Sequence, residues 1–176
     1  GYHYLLARLV PIGFFMISSV YLYAYTRKHL GHGEAVFSLL IYGILPINIY
    51  YSRAIMPEAA ALMFWIGGLY YFYEWAENKK DLRLVVSCIF MSLAIMTKPP
   101  VVIIGLPMLY ICFQYFGWRF LSFPKLWLYA LVTLGLPFIY YYFSVSIAEY
   151  KFALGITNNI ILKDAFSAFY SPEAYL

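Results

Sequence analysis

The strongest constraint on this chain is a succession of six apolar runs separated by short polar breaks. The runs cover residues 9–25, 35–51, 59–75, 84–96, 101–116 and 126–145. A bilayer core of about 30 Å needs roughly 20 mostly apolar residues per helix, and hydrocarbon offers backbone groups no partners outside a helix or a closed barrel. The runs lack the alternation of barrel strands. We therefore predict an all-α, polytopic transmembrane helix bundle with about six membrane segments.

The composition supports this class of fold. Hydrophobic residues make up 64% of the chain and charged residues 11%, against about 45–50% and 25% in soluble domains. Residues 1–145 are predicted to form the membrane bundle, and residues 146–176 an outer-face amphipathic tail or the start of a truncated outer loop. The runs at 84–96 and 101–116 are the shortest, so a re-entrant pair of helices around "TKPP" stays open as an alternative.

The distribution of Lys and Arg predicts the orientation. Seven of them lie in the breaks at 26–34, 76–83 and 117–125, and five lie on the other side. The seven are Arg27, Lys28, Lys79, Lys80, Arg83, Arg119 and Lys125, and the five are Arg8, Arg53, Lys98, Lys151 and Lys163. Because short cytoplasmic loops are enriched in basic residues, we place the first group in the cytoplasm. The prediction is a multi-pass protein of the plasma (inner) membrane with its active site on the outer face.

Two opposite charges lie close together in the stretch "YYSRAIMPEAA". Pro57 and Glu58 suit the first turn of a helix, where the dipole favours a carboxylate by about 0.3–1 kcal/mol. Arg53 follows an aromatic helix end and can extend its charge to the lipid head groups. Each residue thus has a purely structural explanation. Together they place a cation and an anion at one lipid–water boundary, where ionisable groups indicate a functional site.

Lys98 and Arg8 are further candidates on the same predicted face. Lys98 follows an apolar run and precedes two prolines, which end a helix. Both residues have the same structural alternative, namely a side chain reaching for the interface, and Lys is also a common ligand of phosphate. His29 and His32 lie in "HLGHGE" without a supporting Cys, and we predict no metal site there. Basic residues are scattered over both sides, which argues against nucleic acid as a partner.

Three stretches, in order and spacing, resemble one family of membrane enzymes. They are "RLVPIGFFMISSVYLYAYTRKHLG", "LPINIYYSRAIMPEAAALMFWIGGLYYFY" and "SLAIMTKPPVVIIGLPMLY". Over residues 8–120 the chain is similar to the early transmembrane region of C-type integral-membrane glycosyltransferases. The branch is that of the protein O-mannosyltransferases and the lipid A aminoarabinose transferase. The resemblance implies that the bundle is part of a larger C-type glycosyltransferase fold.

The resemblance also implies an activity and a set of site residues. Members transfer a sugar from a polyprenyl-phosphate carrier to an acceptor protein, lipid or glycan on the outer or luminal side of the bilayer. Glu58 would match the acidic residue of the active-site cavity and Arg53 the basic residue before it, which makes both candidate catalytic residues. Lys98 and Arg8 would bind the carrier phosphate.

One departure concerns the catalytic base. The family places an Asp in the first outer loop, whereas no acidic residue precedes Glu34 in this sequence. We therefore expect the chain to be a fragment that is inactive alone. Hard oxygen ligands suit Mg²⁺ or Mn²⁺, but one carboxylate is too few for a metal site. No cofactor is assigned, and a divalent cation is left open.

Two other functions remain as alternatives at this point. In a transporter or flippase-like bundle, Arg53, Glu58 and Lys98 would line a substrate path, with charges or broken helices near the middle of the membrane. In a non-catalytic membrane subunit the same charges would only anchor helix ends. Removing them would then leave activity unchanged.

Overall fold

The chain is described from a computed structural model, which covers the backbone of residues 2–147 and the side chains of residues 7–144. Within these residues the structure is helical and contains no strand, as the sequence predicts. The α-helices are α1 Tyr2–His29, α2 His32–Ile44, α3 Pro46–Arg53, α4 Glu58–Asn78, α5 Asp81–Thr97, α6 Gly105–Phe116 and α7 Pro124–Ile147. Two 3-10 helices, Pro99–Ile104 and Gly117–Ser122, flank α6. The tail predicted from residue 146 lies outside the described residues from 148 onward, so that interpretation remains a prediction.

Two compact units divide the chain, Gly1–Phe138 and Ile139–Leu176. The first unit contains α1 to α6 and most of α7, and all the sites discussed below belong to it. Among the described residues, the second unit contains the final turns of α7, where neighbouring rings such as Tyr140 and Tyr141 contact each other edge to face.

Three helical stretches are long and apolar enough to cross a bilayer, by length and composition. They are Ala7–His29, Pro99–Ser122 and Pro124–Ser144, and the bent pair α2–α3 makes a fourth if it counts as one span. The sequence analysis predicts about six segments, and the helices α4 and α5 account for the difference. With 17 residues, α5 is shorter than a typical span, and α4 carries three glutamates. Both helices lie inside the bundle, where neighbouring helices rather than lipid surround their polar groups.

The second apolar run is broken at Pro46, which the sequence analysis does not anticipate. Helices α2 and α3 meet there at a bend of 65°. Proline has no backbone N–H, so the carbonyl of Tyr42 loses its usual helical donor. The side-chain amide of Asn48 donates to this carbonyl instead, at 2.8 Å. The bend is therefore satisfied from within α3.

The tightest packing in the described part joins α4 to α5. A Cβ atom on Gly67 would lie 2.7 Å from the ring of Phe90, and one on Gly68 would lie 2.9 Å from Met91. Small residues let helix backbones approach closely in membranes. The Ser87 hydroxyl uses this approach to donate to the Gly68 carbonyl at 2.7 Å. The pair α4–α5 is therefore a rigid frame whose two ends hold charged groups.

The charged groups lie at opposite ends of this frame. At one end, here the Glu74 end, Lys28 contacts Glu74 and Glu77, and Lys125 contacts Asp81 at 2.8 Å. These contacts bring together the three basic breaks that the sequence analysis places on one side. The other end, here the Glu58 end, holds the start of α4 and the end of α5. That the Glu58 end faces outward is the prediction from the basic residues.

Candidate functional site

The first element of the candidate site is the start of α4. Pro57 is the N-cap residue with φ −72°, and Glu58 is the first residue of the helix. The Pro57 carbonyl accepts the first bond of the helix, from the Ala61 amide at 2.9 Å. The carboxylate of Glu58 therefore lies in the first turn, where the helix dipole favours negative charge. This agrees with the interpretation of "PE" as a helix start.

The second element is the end of α5. Lys98 is the C-cap residue, with extended backbone angles of φ −149° and ψ 103°. Its amide still bonds to the Ala94 carbonyl at 2.9 Å, and the two prolines that follow cannot continue the α-helix. The chain turns into the 3-10 helix Pro99–Ile104. This turn points the Lys98 side chain toward the start of α4.

Glu58 and Lys98 form an ion pair across the two helix ends. Lys98 Nζ lies 3.2 Å from Glu58 Oε1, and the two side chains are 44% and 22% exposed, respectively. The other carboxylate oxygen, Glu58 Oε2, is buried and has no hydrogen-bond partner among the described residues. A buried acceptor without a partner costs roughly 1–3 kcal/mol. Oxygen Oε2 is therefore an acceptor that a ligand hydroxyl would satisfy.

A cavity of about 210 Å³ adjoins this ion pair. Its polar residues are Asn48, Ser52, Glu58 and Lys98, and its aromatic residues are Phe15, Tyr51 and Trp65. The amide nitrogen of Asn48 is committed to the Tyr42 carbonyl, which leaves its Oδ1 as an acceptor. Acceptors beside aromatic faces suit a small polyhydroxylated ligand. The sequence analysis missed Asn48 and Trp65 as cavity residues, because nothing in their own stretches signals a site.

The two arginine candidates lie in a neighbouring pocket. Arg8 and Arg53 line a cavity of about 630 Å³ together with Pro46, Ile49, Tyr50 and Ala54. Both arginines are exposed, and Arg53 makes no hydrogen bond or ion pair within the described part of the chain. The structure thus pairs Glu58 with Lys98 rather than with Arg53, the cation nearest to it in sequence.

Helix α3 separates the two cavities and lines both. One of its faces presents Ile47, Asn48, Tyr51 and Ser52 to the Glu58 cavity. Its other face presents Pro46, Ile49, Tyr50 and Arg53 to the arginine pocket. Both sets follow the spacing of residues on one side of a helix. The four predicted site residues are therefore distributed as two pairs around one helix.

The Glu74 end carries a different charged cluster, which the sequence analysis missed. Glu74 is only 7% exposed, and its carboxylate contacts both Lys28 and Arg83 and also receives a bond from the Asn78 amide at 3.5 Å. Both carboxylate oxygens are thus occupied. The stretch "YYFYEW" is interpreted from sequence as an interfacial aromatic belt, which hides the role of its glutamate.

Lys79, next to that cluster, is held against aromatic rings. Its ammonium lies 3.5 Å from the centroid of the Phe116 ring and donates to the Ala76 carbonyl at 2.6 Å. Burial lowers the pKa of the Lys79 ammonium below its ordinary value, and Cys112 opposes this shift.

The histidines of "HLGHGE" diverge in the structure. The His29 ring packs on Tyr73, with centroids 3.9 Å apart, whereas His32 Nδ1 bonds to the Tyr23 hydroxyl at 2.9 Å. Within the described residues, no group of three or more His, Cys, Asp or Glu side chains is arranged to hold a metal ion.

One comparison with known proteins gives a match. The profile of the family described as dolichyl-phosphate-mannose-protein mannosyltransferase matches residues 3–145, which is most of the chain. This stretch includes both cavities and the charged cluster at the Glu74 end. No curated protein and no solved structure matches the chain significantly.

Proposed function

This chain belongs to the dolichyl-phosphate-mannose-protein mannosyltransferase family, and on that premise we propose that it forms the donor-binding part of a membrane glycosyltransferase. The donor is a sugar linked to a polyprenyl phosphate, and the transfer takes place at the Glu58 end, on the outer face of the membrane. The observation that carries the proposal is the Glu58–Lys98 ion pair beside a small cavity, with one carboxylate oxygen unpartnered.

The carrier phosphate is assigned to the arginine pocket. Two guanidinium groups offer planar pairs of N–H donors, a geometry that matches phosphate oxygens. Lys98 has three N–H donors and gives one of them to Glu58, so it retains donors for a phosphate that reaches the edge of α3. These cations would stabilise the charge that builds on the leaving phosphate during transfer.

The sugar ring is assigned to the Glu58 cavity. Glu58 Oε2 and Asn48 Oδ1 accept bonds from its hydroxyl groups, and the aromatic residues pack on its apolar face. Because Lys98 neutralises the Glu58 carboxylate, the cavity has no net charge from these two residues. Such a cavity favours a neutral sugar over one that carries an amino or acidic group.

The reaction that fits this arrangement is a substitution at the anomeric carbon. The acceptor hydroxyl forms a new C–O bond to that carbon, and its proton passes to a carboxylate base. The old C–O bond breaks, and its electron pair leaves with the carrier phosphate. Glu58 orients the hydroxyl groups, while Arg8, Arg53 and Lys98 receive the leaving charge.

The orientation of the site follows from the basic residues. The breaks that meet at the Glu74 end carry the clustered Lys and Arg, which favour the cytoplasmic side. The Glu58 end then faces outward, in contact with acceptors outside the cell or in a lumen. The membrane assignment is the plasma (inner) membrane.

A transporter remains the second candidate because of the break at Pro46. Discontinuous helices are common at transporter binding sites, and α2 and α3 form such a pair. A transporter would bind and move the lipid-linked sugar without breaking the bond to phosphate. The two functions are thus separated by whether the sugar leaves its carrier.

The test is a transfer assay on the full-length protein in membranes. Radiolabelled mannose on a polyprenyl-phosphate donor is followed into acceptors for the wild type, Glu58→Gln and Lys98→Ala. Glu34→Gln is the matched control, since Glu34 is an exposed carboxylate in the break between α1 and α2. We expect both site variants to lose transfer by roughly 100-fold at normal expression, with the control unchanged. Wild-type transfer rates in both variants would overturn the proposal.

A further inference from the structure

A third cavity, of about 400 Å³, lies in the first unit between α5, α6 and α7. No part of the site described so far uses it. We propose that this cavity binds the isoprenoid chain of the lipid-linked sugar donor. The proposal rests on the proposed function, because it concerns the same donor, and it adds where the lipid part lies. The cavity is called the chain groove below.

The chain groove is continuous with the Glu58 cavity through the 3-10 helix Pro99–Ile104. Val101 of this helix lines the Glu58 cavity, whereas Val102 and Ile104 line the chain groove. Lys98, which closes the ion pair, directly precedes this helix. A donor whose phosphate lies near Lys98 would therefore reach the groove by passing over a single turn of backbone.

The walls of the groove suit a hydrocarbon chain. Aliphatic and aromatic side chains form almost all of the lining, and the hydroxyls there already have partners. The Tyr129 hydroxyl lies 2.9 Å from the Ser87 hydroxyl, and the Thr133 hydroxyl lies 3.2 Å from the Cys88 sulfur. The remaining polar group, the Cys112 thiol, is a weak donor that behaves as a small hydrophobe. A polar ligand would gain nothing in such a groove.

The extent of the groove suits a long chain. It begins near Ile95 and Val102 at the Glu58 end and continues to Phe120, Leu121 and Trp127, in and after the break that leads to the Glu74 end. A dry cavity of about 150 Å³ holds one benzene ring, so this groove has room for more than twice that volume. An isoprenoid chain that enters beside the phosphate would follow α6 across the bundle.

Gly105, the first residue of α6, offers a way to fill the groove. It lines the groove, and a Cβ atom added to it would meet no atom within 4 Å. Its backbone angles are those of a right-handed helix, so a larger residue is compatible with the backbone. Gly135 of α7 is the matched control, because a Cβ there also meets nothing within 4 Å and Gly135 does not line the groove.

The experiment compares two donors that carry the same mannose on chains of different length. Transfer from geranyl-phosphate mannose and from undecaprenyl-phosphate mannose is measured as kcat/KM for the full-length wild type, Gly105→Phe and Gly135→Phe. We expect Gly105→Phe to lose roughly tenfold with the undecaprenyl donor, since losing the burial of about two methylene groups is enough for this effect. The geranyl donor should change by less than about twofold, and Gly135→Phe should resemble the wild type with both donors.

The outcomes separate the groove from the proposed function. Transfer in the wild type with an unchanged ratio between the two donors in Gly105→Phe would overturn the groove and leave the proposed function intact. Absence of transfer in the wild type from both donors would overturn the proposed function, and the groove with it. If Gly105→Phe fails to fold, Ala130→Phe, which fills the groove from α7, gives the same test.

Discussion

The two ends of α4 each carry a glutamate, and their surroundings differ in a way that separates function from stability. At the Glu74 end, Lys28, Arg83 and Asn78 occupy both carboxylate oxygens. At the Glu58 end, Lys98 occupies one oxygen, and the other is buried without a partner. A saturated buried network holds helices together, whereas an unsatisfied acceptor beside a cavity is suited to a ligand. The comparison assigns the Glu74 end to folding and the Glu58 end to chemistry.

The largest expected effect on the comparison comes from Lys98→Met. This variant removes the charge that pairs with Glu58 and donates toward the carrier phosphate, while it keeps the length of the side chain. We expect transfer to fall by roughly 100-fold, with little change in the melting temperature because the pair is partly exposed. Transfer and thermal unfolding are measured on the same purified sample. A fall in melting temperature with normal transfer would place Lys98 among the structural residues.

The second prediction is the same substitution at the other end of α4. Lys28 contacts both Glu74 and Glu77, so Lys28→Met leaves the buried Glu74 with fewer donors. We expect a loss of about 1–2 kcal/mol in the free energy of unfolding and unchanged transfer per folded molecule. Denaturant unfolding of wild type and variant in one detergent provides the measurement. Loss of transfer without loss of stability would break the comparison.

A smaller effect should follow the titration of Lys79. Because burial lowers its folded-state pKa, the unfolded chain binds more protons between the folded and the ordinary pKa values. The stability contributed by this group therefore rises as pH rises through the folded pKa toward the ordinary value. From about pH 8 to about pH 10.5, the melting temperature of the wild type should rise relative to that of Lys79→Met. A constant difference between the two proteins would contradict the inferred burial of the ammonium.

The smallest effect is expected for the exposed pair Asp81–Lys125. The two groups lie 2.8 Å apart, but their side chains are 64% and 59% exposed. Exposed pairs contribute little, so Asp81→Asn should change the free energy of unfolding by less than about 0.5 kcal/mol and leave transfer unchanged. Calorimetry on both proteins checks this. A larger loss would show that the Glu74 end depends on all its charges and not only on the buried one.

The sequence was sufficient for the helical class and for the local structure around the candidate residues. The six apolar runs coincide with helices or bent pairs of helices, Glu58 opens a helix and Lys98 closes one. These features depend on composition, on proline and on charge at helix ends, all of which are local in sequence.

Features that depend on contacts between distant residues could not be predicted. The partner of Glu58 is Lys98, 40 positions away, and only the close packing of α4 on α5 brings the two together. The bend at Pro46 required the compensating bond from Asn48, which no pattern in the run indicates. Glu74 was hidden among aromatic residues, because its partners lie on α1 and α5.

The most direct test of the central claim is one substitution made at both ends of α4. Transfer of radiolabelled mannose and the melting temperature are measured for Glu58→Gln and Glu74→Gln in the full-length protein. The account predicts that Glu58→Gln loses transfer by roughly 100-fold and keeps its melting temperature, while Glu74→Gln unfolds at a lower temperature and keeps its transfer rate per folded molecule. The reverse pattern, or the same pattern in both variants, would contradict it.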